Sequence, residues 1–328
     1  MPSVLLSEFY AAGQSASESW PEDAKLYQPY EVEQILLPDT AACLSVKAFL
    51  RMCELAFQVE MRTNADLMSP TGSVPFLRCG NMVVADVEPI IEFLHFKGIS
   101  LSSHLDNAGK ADMKAYMSLV NIVLRNAELY VSWCDNTTLQ EVTKPRFTAF
   151  LPWPINNVVC WQTKNDVKKR LKAADWHTKS LEDVYEMVDN CCHALSERLG
   201  TFKYFFGDKP TELDAVVFGH LFAVLTTPLP DNKLCTIIRE YCYEKFYCLF
   251  SDYLIFLSLY LSYRPTELDA VVFGHLFAVL TTPLPDNKLC TIIREYQNLV
   301  DLCQNIDVNY FQKHAEDSTD IRHMQMQS

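Results

Sequence analysis

An exact internal repeat limits what this chain can fold into more than any other feature of its sequence. Residues 210–241 and residues 265–296 share the 32 residues PTELDAVVFGHLFAVLTTPLPDNKLCTIIREY, at an offset of 55. Solenoid repeats diverge between their structural positions and come in three or more copies. Two copies without a difference therefore indicate a recent duplication or an error in the assembled gene. The functional unit predicted here is the chain without one copy and without the insert between the copies.

The insert, residues 242–264, differs in composition from its neighbours. Its stretch 246–263 has 18 residues and one charge, Asp252, and is the only membrane-span candidate in the sequence. A helix of that length spans about 27 Å, barely the hydrocarbon thickness, and a central Asp costs about 2.5–3.5 kcal/mol. The insert is thus a membrane span, spuriously translated sequence, or a buried or aggregation-prone segment.

The charge and cysteine content exclude several classes of protein. The 328 residues carry 41 acidic and 28 basic side chains, a net charge of −13, whereas nucleic-acid binding needs a basic footprint. The twelve cysteines include no C-x-x-C pair, so neither a zinc ribbon nor a redox motif is predicted, and the thiols are expected to be reduced. Acidic residues precede the first basic one, Lys25, which is untypical of an import signal.

Hydrophobic periodicity predicts an α+β, mainly helical chain. After a loosely ordered lead, 1–20, residues 21–100 follow a β-α-β then β-β-α order, and residues 108–328 are expected to form an all-helical domain. The first helix is predicted over 40–53 with Asp39 or Thr40 as cap, and 145–154 is expected to break a later one. Thr211 and Asp214 predict the cap of a helix over 213–225.

Two levels of resemblance follow from this order. A thioredoxin-like domain followed by helices resembles the glutathione-transferase architecture, with Val74-Pro75 similar to its cis-proline turn. Within that architecture the chain resembles the metaxin family. Seven segments carry this resemblance: WPEDAKLYQ (20–28), QILLPDTAACLSVKAFLRM (34–52), NADLMSPTGSVPF (64–76), MKAYMSLVN (113–121), AELYVSWCD (127–135), PWPINN (152–157) and PTELDAVVFGHL (210–221).

The metaxin resemblance implies a place and a task. Metaxins sit on the cytosolic face of the mitochondrial outer membrane, in the sorting and assembly machinery that inserts β-barrel proteins. The resemblance implies a peripheral, non-catalytic subunit without cofactor or metal. Its partners would be another metaxin, the outer-membrane β-barrel assembly subunit and mitochondrial precursor proteins. The sequence after residue 296 has no apolar run near 18 residues, so no tail anchor is expected there.

The alternative is a cytosolic glutathione-dependent transferase-like enzyme. The resemblance places a vestigial glutathione site at Val74, Pro75, Asp86 and Val87. Enzymes of this fold usually have Ser where Val87 stands, and losing its hydrogen bond to a charged group costs about 1.5–3 kcal/mol. An activating group could be Cys43, near a helix start, or Tyr27, although both also suit the core.

Four other features have competing interpretations. Cys191, Cys192 and His193 are metal-ligand types, but consecutive helix residues point about 100° apart and cannot chelate one ion together. His220 is expected to be a satisfied core histidine. The only basic run in the sequence includes Lys168, Lys169 and Arg170. It is interpreted either as a solvated helix face or as a surface that contacts anionic lipid or an acidic partner. Residues 152–154 form either an elbow against the α/β domain or an exposed aromatic patch.

Overall fold

The structure is a computed structural model that describes residues 20–241 except 22, 32 and 33. The chain divides into two compact units, Met1–Leu254 and Ile255–Ser328, and all described residues belong to the first. Most of the predicted lead, the insert 242–264 and the second copy 265–296 lie outside the described residues.

A four-stranded mixed sheet forms the N-terminal part. Its strands are β1 (Lys25–Gln28), β2 (Gln58–Met61), β3 (Phe76–Cys79) and β4 (Met82–Ala85), in the order β2-β1-β3-β4. β2 is parallel to β1, while β3 is antiparallel to both β1 and β4. Gly80 turns the β3–β4 hairpin with a φ of 60°, a backbone conformation that glycine adopts without steric cost.

Three helices accompany the sheet: α1 (Leu37–Met52), α2 (Ala65–Met68) and α3 (Val87–Phe96). The prediction that Asp39 or Thr40 caps the first helix is wrong, because Leu36 is the N-cap and Asp39 lies in the first turn. The physical reason is Pro38, which suits a first turn because the N–H it lacks has no partner there.

The remaining described elements are helical, and they follow a short 3-10 turn, Leu101–His104. They are α4 (Asn107–Trp133), α5 (Asn136–Thr138), a π turn (Leu139–Thr143), α6 (Lys144–Phe147), α7 (Ile155–Ala173), α8 (Leu181–Leu199), α9 (Glu212–Thr226) and α10 (Lys233–Tyr241). The predicted break over 145–154 is confirmed for 148–154 and begins three residues later than expected, because Pro145 lies in the first turn of α6. The helical run instead ends at Phe147.

Helix α9 comes from the first copy of the repeat and is buried along most of its length. Asp214 closes its N-terminus: one carboxylate oxygen accepts hydrogen bonds from Thr211 N and Oγ1, both at 2.7 Å. The other oxygen accepts from Phe205 N at 3.0 Å. Burial raises the pKa of Asp214 to about 6, although these hydrogen bonds oppose the rise. The cap therefore also holds the preceding loop.

The sheet domain and the helical domain meet backbone to backbone where α1 crosses α9. A Cβ at Gly219 would lie 2.1 Å from Ser45 Oγ, 2.5 Å from Ser45 N and 2.6 Å from Ala41 O. Ser45 Oγ donates to Ala41 O at 2.8 Å and contacts Val216 O at 3.3 Å. Only glycine fits at residue 219.

A buried carboxylate ties the start of α9 to the segment that links the domains. Glu212 Oε1 accepts from His95 Nε2 at 2.8 Å and Ser100 Oγ at 3.2 Å. It also accepts from the backbone N–H groups of Leu101 at 3.1 Å and Ser102 at 3.3 Å. Burial alone would raise the pKa of Glu212, but hydrogen bonds from His95, from Ser102 and from its own backbone N–H, together with the charge of His95, lower it to about 2.

We expect Glu212→Gln to destabilise the protein by about 3 kcal/mol at pH 7, because a folded-state pKa near 2 favours the ionised form relative to the unfolded chain. The sign is fixed: this stabilisation is present above the unfolded pKa of about 4.5 and is lost as pH falls toward 2. Urea unfolding of both proteins from pH 7 to pH 3 should show their stabilities converging. Glu267→Gln, the same change in the second copy, is the matched control, and an equal effect there would contradict the assignment.

Candidate functional site

The first candidate site is the proline-turn site, defined as Val74, Pro75, Asp86 and Val87. The Val74–Pro75 bond is cis, and Asp86 N donates to Pro75 O at 3.1 Å, so the two halves of the site are joined. Val74 is buried, whereas Asp86 and Val87 are half-buried at the start of α3. The four predicted residues therefore do come together.

The Asp86 carboxylate already has partners from its own chain. Its Oδ2 accepts from Thr71 Oγ1 at 3.1 Å, and its Oδ1 lies 4.0 Å from the guanidinium of Arg125 on α4. Asp86 has a φ of 72°, a conformation uncommon for a residue other than glycine. The side chain thus points toward a cation contributed by the helical domain.

A second guanidinium lies on the same side. Burial lowers the pKa of Arg170, repulsion from Arg125 lowers it further, and Asp86 opposes both effects. Sequence reasoning missed Arg125, because a lone basic residue on a long helix gives no periodic signal. Only the packing of α4 beside the sheet domain places it near Asp86.

The two candidate activating groups at this site are core residues. Cys43 is 1 % exposed, and burial raises the pKa of its thiol, which disfavours the reactive thiolate. Tyr27 is buried, and its ring stacks on Phe76 with 4.6 Å between centroids. Both positions fit the core interpretation better than a catalytic one.

Three further titratable groups lie on α1, α4 and α9, and the sequence singled out only His220 among them as a possible functional residue. Burial raises the pKa of Asp39 to about 7, helped by Asp66 and Glu128 and opposed by Arg125. His220 is a satisfied core histidine as predicted, since its Nδ1 lies 2.7 Å from Glu128 Oε1. Glu128 Oε2 is buried without a hydrogen-bond partner.

The predicted metal-ligand types are separated as the helix geometry requires. Cys191 and Cys192 are buried, while His193 is exposed and lies 3.9 Å from Glu197. Within residues 20–241, as far as the structure describes them, no three His, Cys, Asp or Glu side chains are placed to hold a metal ion.

The second candidate site is the basic run on α7, and the structure divides it. Lys168 and Lys169 line a shallow groove of about 590 Å³, together with Trp161 and Lys172. Arg170 is about 180° around the helix from Trp161, on the side of Arg125 and Asp86. The predicted trio therefore does not form one surface, because consecutive helix residues diverge by about 100°.

The elbow interpretation of residues 152–154 is wrong. Trp153 is 80 % exposed, whereas an elbow packed against the α/β domain would bury its indole ring. The Trp153–Pro154 bond is cis, and Ile155 directly after it begins α7. The alternative of an exposed aromatic patch is the one that agrees with the structure.

The described residues also bear on membrane association. Among them, no helix is long and apolar enough to cross a bilayer. The span candidate 246–263 lies outside the described residues.

The sheet order and the helices that follow it define a glutathione-transferase-like fold. A family model described as "Glutathione S-transferase, C-terminal domain" matches residues 188–242 and 249–306, and each match contains one copy of the repeat. Glutathione transferase F7 from Populus trichocarpa is 15 % identical, with a TM-score of 0.43 over 72 % of this chain and 93 % of that one.

Sequence comparison gives the family. A model described as "Outer mitochondrial membrane transport complex protein" matches residues 43–164. Human Metaxin-2 is 50 % identical over 237 residues, which is 72 % of this chain and 90 % of that protein. The Metaxin-2 homolog of Caenorhabditis elegans is 38 % identical over 66 % of this chain and 94 % of its own length. Mouse Metaxin-1 is 31 % identical over 60 % of this chain and 64 % of its own length. The chain belongs to the metaxin family.

Proposed function

We propose that this chain is a non-catalytic subunit of the sorting and assembly machinery of the mitochondrial outer membrane. In this role it assists protein import and the insertion of β-barrel proteins. The observation that carries the proposal is the 50 % identity to human Metaxin-2 across 90 % of that protein. The match to a family of outer-membrane transport complex proteins supports the same role.

The partners in this proposal are another metaxin, the outer-membrane β-barrel assembly subunit and mitochondrial precursor proteins. The chain works by contact between surfaces, as a peripheral component on the cytosolic face. The family descriptions support association with an outer-membrane complex. The location on its cytosolic face is part of what we propose.

Affinity purification of the tagged full chain from detergent-solubilised mitochondria tests this function. We expect the other metaxins and the β-barrel assembly subunit to co-purify, and alkaline extraction to release the chain from membranes. Protease added to intact mitochondria should digest it. A chain that co-purifies with none of these subunits and fractionates with cytosol would contradict the proposal.

The proline-turn site supports a lack of glutathione chemistry. A γ-glutamyl ammonium approaching Asp86 would meet the guanidinium of Arg125, 4.0 Å from that carboxylate. Val87 has no hydroxyl for the carboxylate of the same group, and the Cys43 thiol is buried. Binding and activation are thus both weakened.

We expect the purified chain to be washed from immobilised glutathione and to show no turnover of a generic electrophile. The loss of one hydrogen bond to a charged group alone predicts a tenfold to hundredfold weaker affinity, roughly. Val87→Ser restores the missing hydroxyl donor and is the variant to compare with the unchanged chain in the same assay. Strong retention of the unchanged chain, with turnover, would favour the enzyme alternative.

A further inference from the structure

Five large apolar side chains are exposed at the N-terminal end of α7 and just before it. Trp153 is 80 % exposed and Trp161 is 66 % exposed. The other three are each about half exposed: Phe150, Ile155 and Val158. Scattered single apolar residues need no explanation, but five within twelve consecutive residues, two of them tryptophans, indicate an interaction surface.

Lysines continue this surface along the helix. Positions 161, 168 and 172 are spaced by seven and four, which places Lys168 and Lys172 within about 20° of Trp161 around the axis. All three line the groove of about 590 Å³. We call Val158, Trp161, Lys168 and Lys172 the Trp–Lys face of α7.

The charge of this face is opposite to that of the protein. Residues 164–172 carry five basic side chains and one acidic one, in a chain with a net charge of −13. The acidic one, Asp166, forms an ion pair with Lys169 at 2.9 Å. Lys168 and Lys172 are exposed beside Trp161, so the Trp–Lys face offers positive charge to an anionic ligand.

We propose that the Trp–Lys face binds the anionic lipid surface of a membrane. Trp161 and Trp153 would sit at the level of the headgroups, where indole rings concentrate, while Lys168 and Lys172 meet lipid phosphates. This inference rests on the proposed function in one respect, the identification of the membrane as the mitochondrial outer membrane.

The composition of the face favours lipid over an acidic protein. Protein interfaces are enriched in Arg and depleted in Lys, whereas the cations here are lysines. The one arginine of the run, Arg170, lies about 180° around the helix from Trp161 and so does not belong to the Trp–Lys face. Indole rings beside lysines are the combination typical of surfaces that lie on bilayers.

Vesicle flotation of the full chain tests the proposal directly. Wild-type protein should float with phosphatidylcholine vesicles containing about 30 mol% phosphatidylserine and stay behind with pure phosphatidylcholine. Lys168→Gln with Lys172→Gln should lower the partition coefficient about 30-fold. Lys114→Gln with Lys209→Gln removes the same charge from exposed sites on the rest of the surface and should leave binding within about twofold.

The tryptophans provide a second, local readout. Brominated lipid should quench wild-type fluorescence on binding, and Trp153→Phe with Trp161→Phe should remove most of that quenching. Of the three remaining tryptophans, Trp133 and Trp176 are buried and Trp20 is half-buried. Trp153→Ser with Trp161→Ser should weaken flotation, whereas Phe202→Ser, at a residue that is 60 % exposed, should not.

Three results would overturn the inference. One is the absence of flotation with anionic vesicles, another is equal loss in the Lys114/Lys209 control, and the third is quenching that is undiminished without Trp153 and Trp161. A photo-crosslinker at position 161 that captures protein in outer membranes, with no vesicle binding, would assign the face to an acidic partner. Co-purification of transport-complex subunits is measured separately from vesicle binding. The proposed function and this lipid-binding inference can therefore fail independently of each other.

Discussion

Gly219→Ala should destabilise the protein by about 3 kcal/mol, because the added methyl group has no room between α9 and α1. Its Cβ would lie 2.5 Å from Ser45 N and 2.6 Å from Ala41 O, and backbone atoms cannot move aside as a flexible side chain does. Alanine favours a helix over glycine by about 1 kcal/mol, and the collision outweighs this gain. Thermal unfolding should show a melting temperature lower by about 6–12 °C.

The second copy supplies the matched control for this experiment. Gly274→Ala makes the same substitution in the same 32-residue sequence. The structure places the first copy as the buried helix, so we expect Gly274→Ala to leave the melting temperature nearly unchanged. A large loss in Gly274→Ala, with none in Gly219→Ala, would mean that the second copy fills this position.

His220→Ala should cost about 3–5 kcal/mol at pH 7, because it leaves a buried carboxylate without its ionic partner. Glu128 and His220 are both nearly inaccessible and are joined at 2.7 Å. Burial already raises the pKa of Glu128, and the histidine opposes that rise. Removing the imidazole therefore pushes this pKa further up.

The pH dependence of this variant has a definite sign. A carboxyl whose folded pKa is raised binds its proton more readily in the folded protein, so the stability of the variant should increase as pH falls from 7 to 5. Denaturant unfolding at both pH values should show the deficit against wild type shrinking. His275→Ala, the equivalent change in the second copy, should leave the free energy of unfolding nearly unchanged. A loss of stability in His220→Ala that does not depend on pH would contradict the role of Glu128.

Local sequence patterns predicted the elements well. The Gly80-Asn81 turn between apolar runs predicts strands over 76–78 and 82–84, and the capping pattern at Ser180 predicts a helix over 180–199. The observed β3, β4 and α8 begin and end within one residue of these bounds. The alternation of apolar and polar residues over 55–62 predicts a strand of eight residues, whereas β2 has only the four residues Gln58–Met61. The start of α1 was wrong, because a proline in the first turn outweighed the polar residues that usually cap helices.

Contacts between distant residues could not be predicted from the sequence. The pairing of Asp86 with Arg125 joins a strand–helix turn to the middle of α4, and no spacing rule connects positions so far apart. The exposure of Trp153 depends on what its loop packs against. The division of Lys168 from Arg170, by contrast, follows from helix geometry alone.

The four hydrogen bonds to Glu212 Oε1 bear on whether the two domains can exist apart. The donors come from the end of α3 and the linking segment, and the acceptor is the first residue of the core helix. A chain cut at the linker would leave an ionised, buried group in one fragment and its donors in the other. The sheet and the helices should therefore melt in one cooperative transition, and neither fragment should fold by itself.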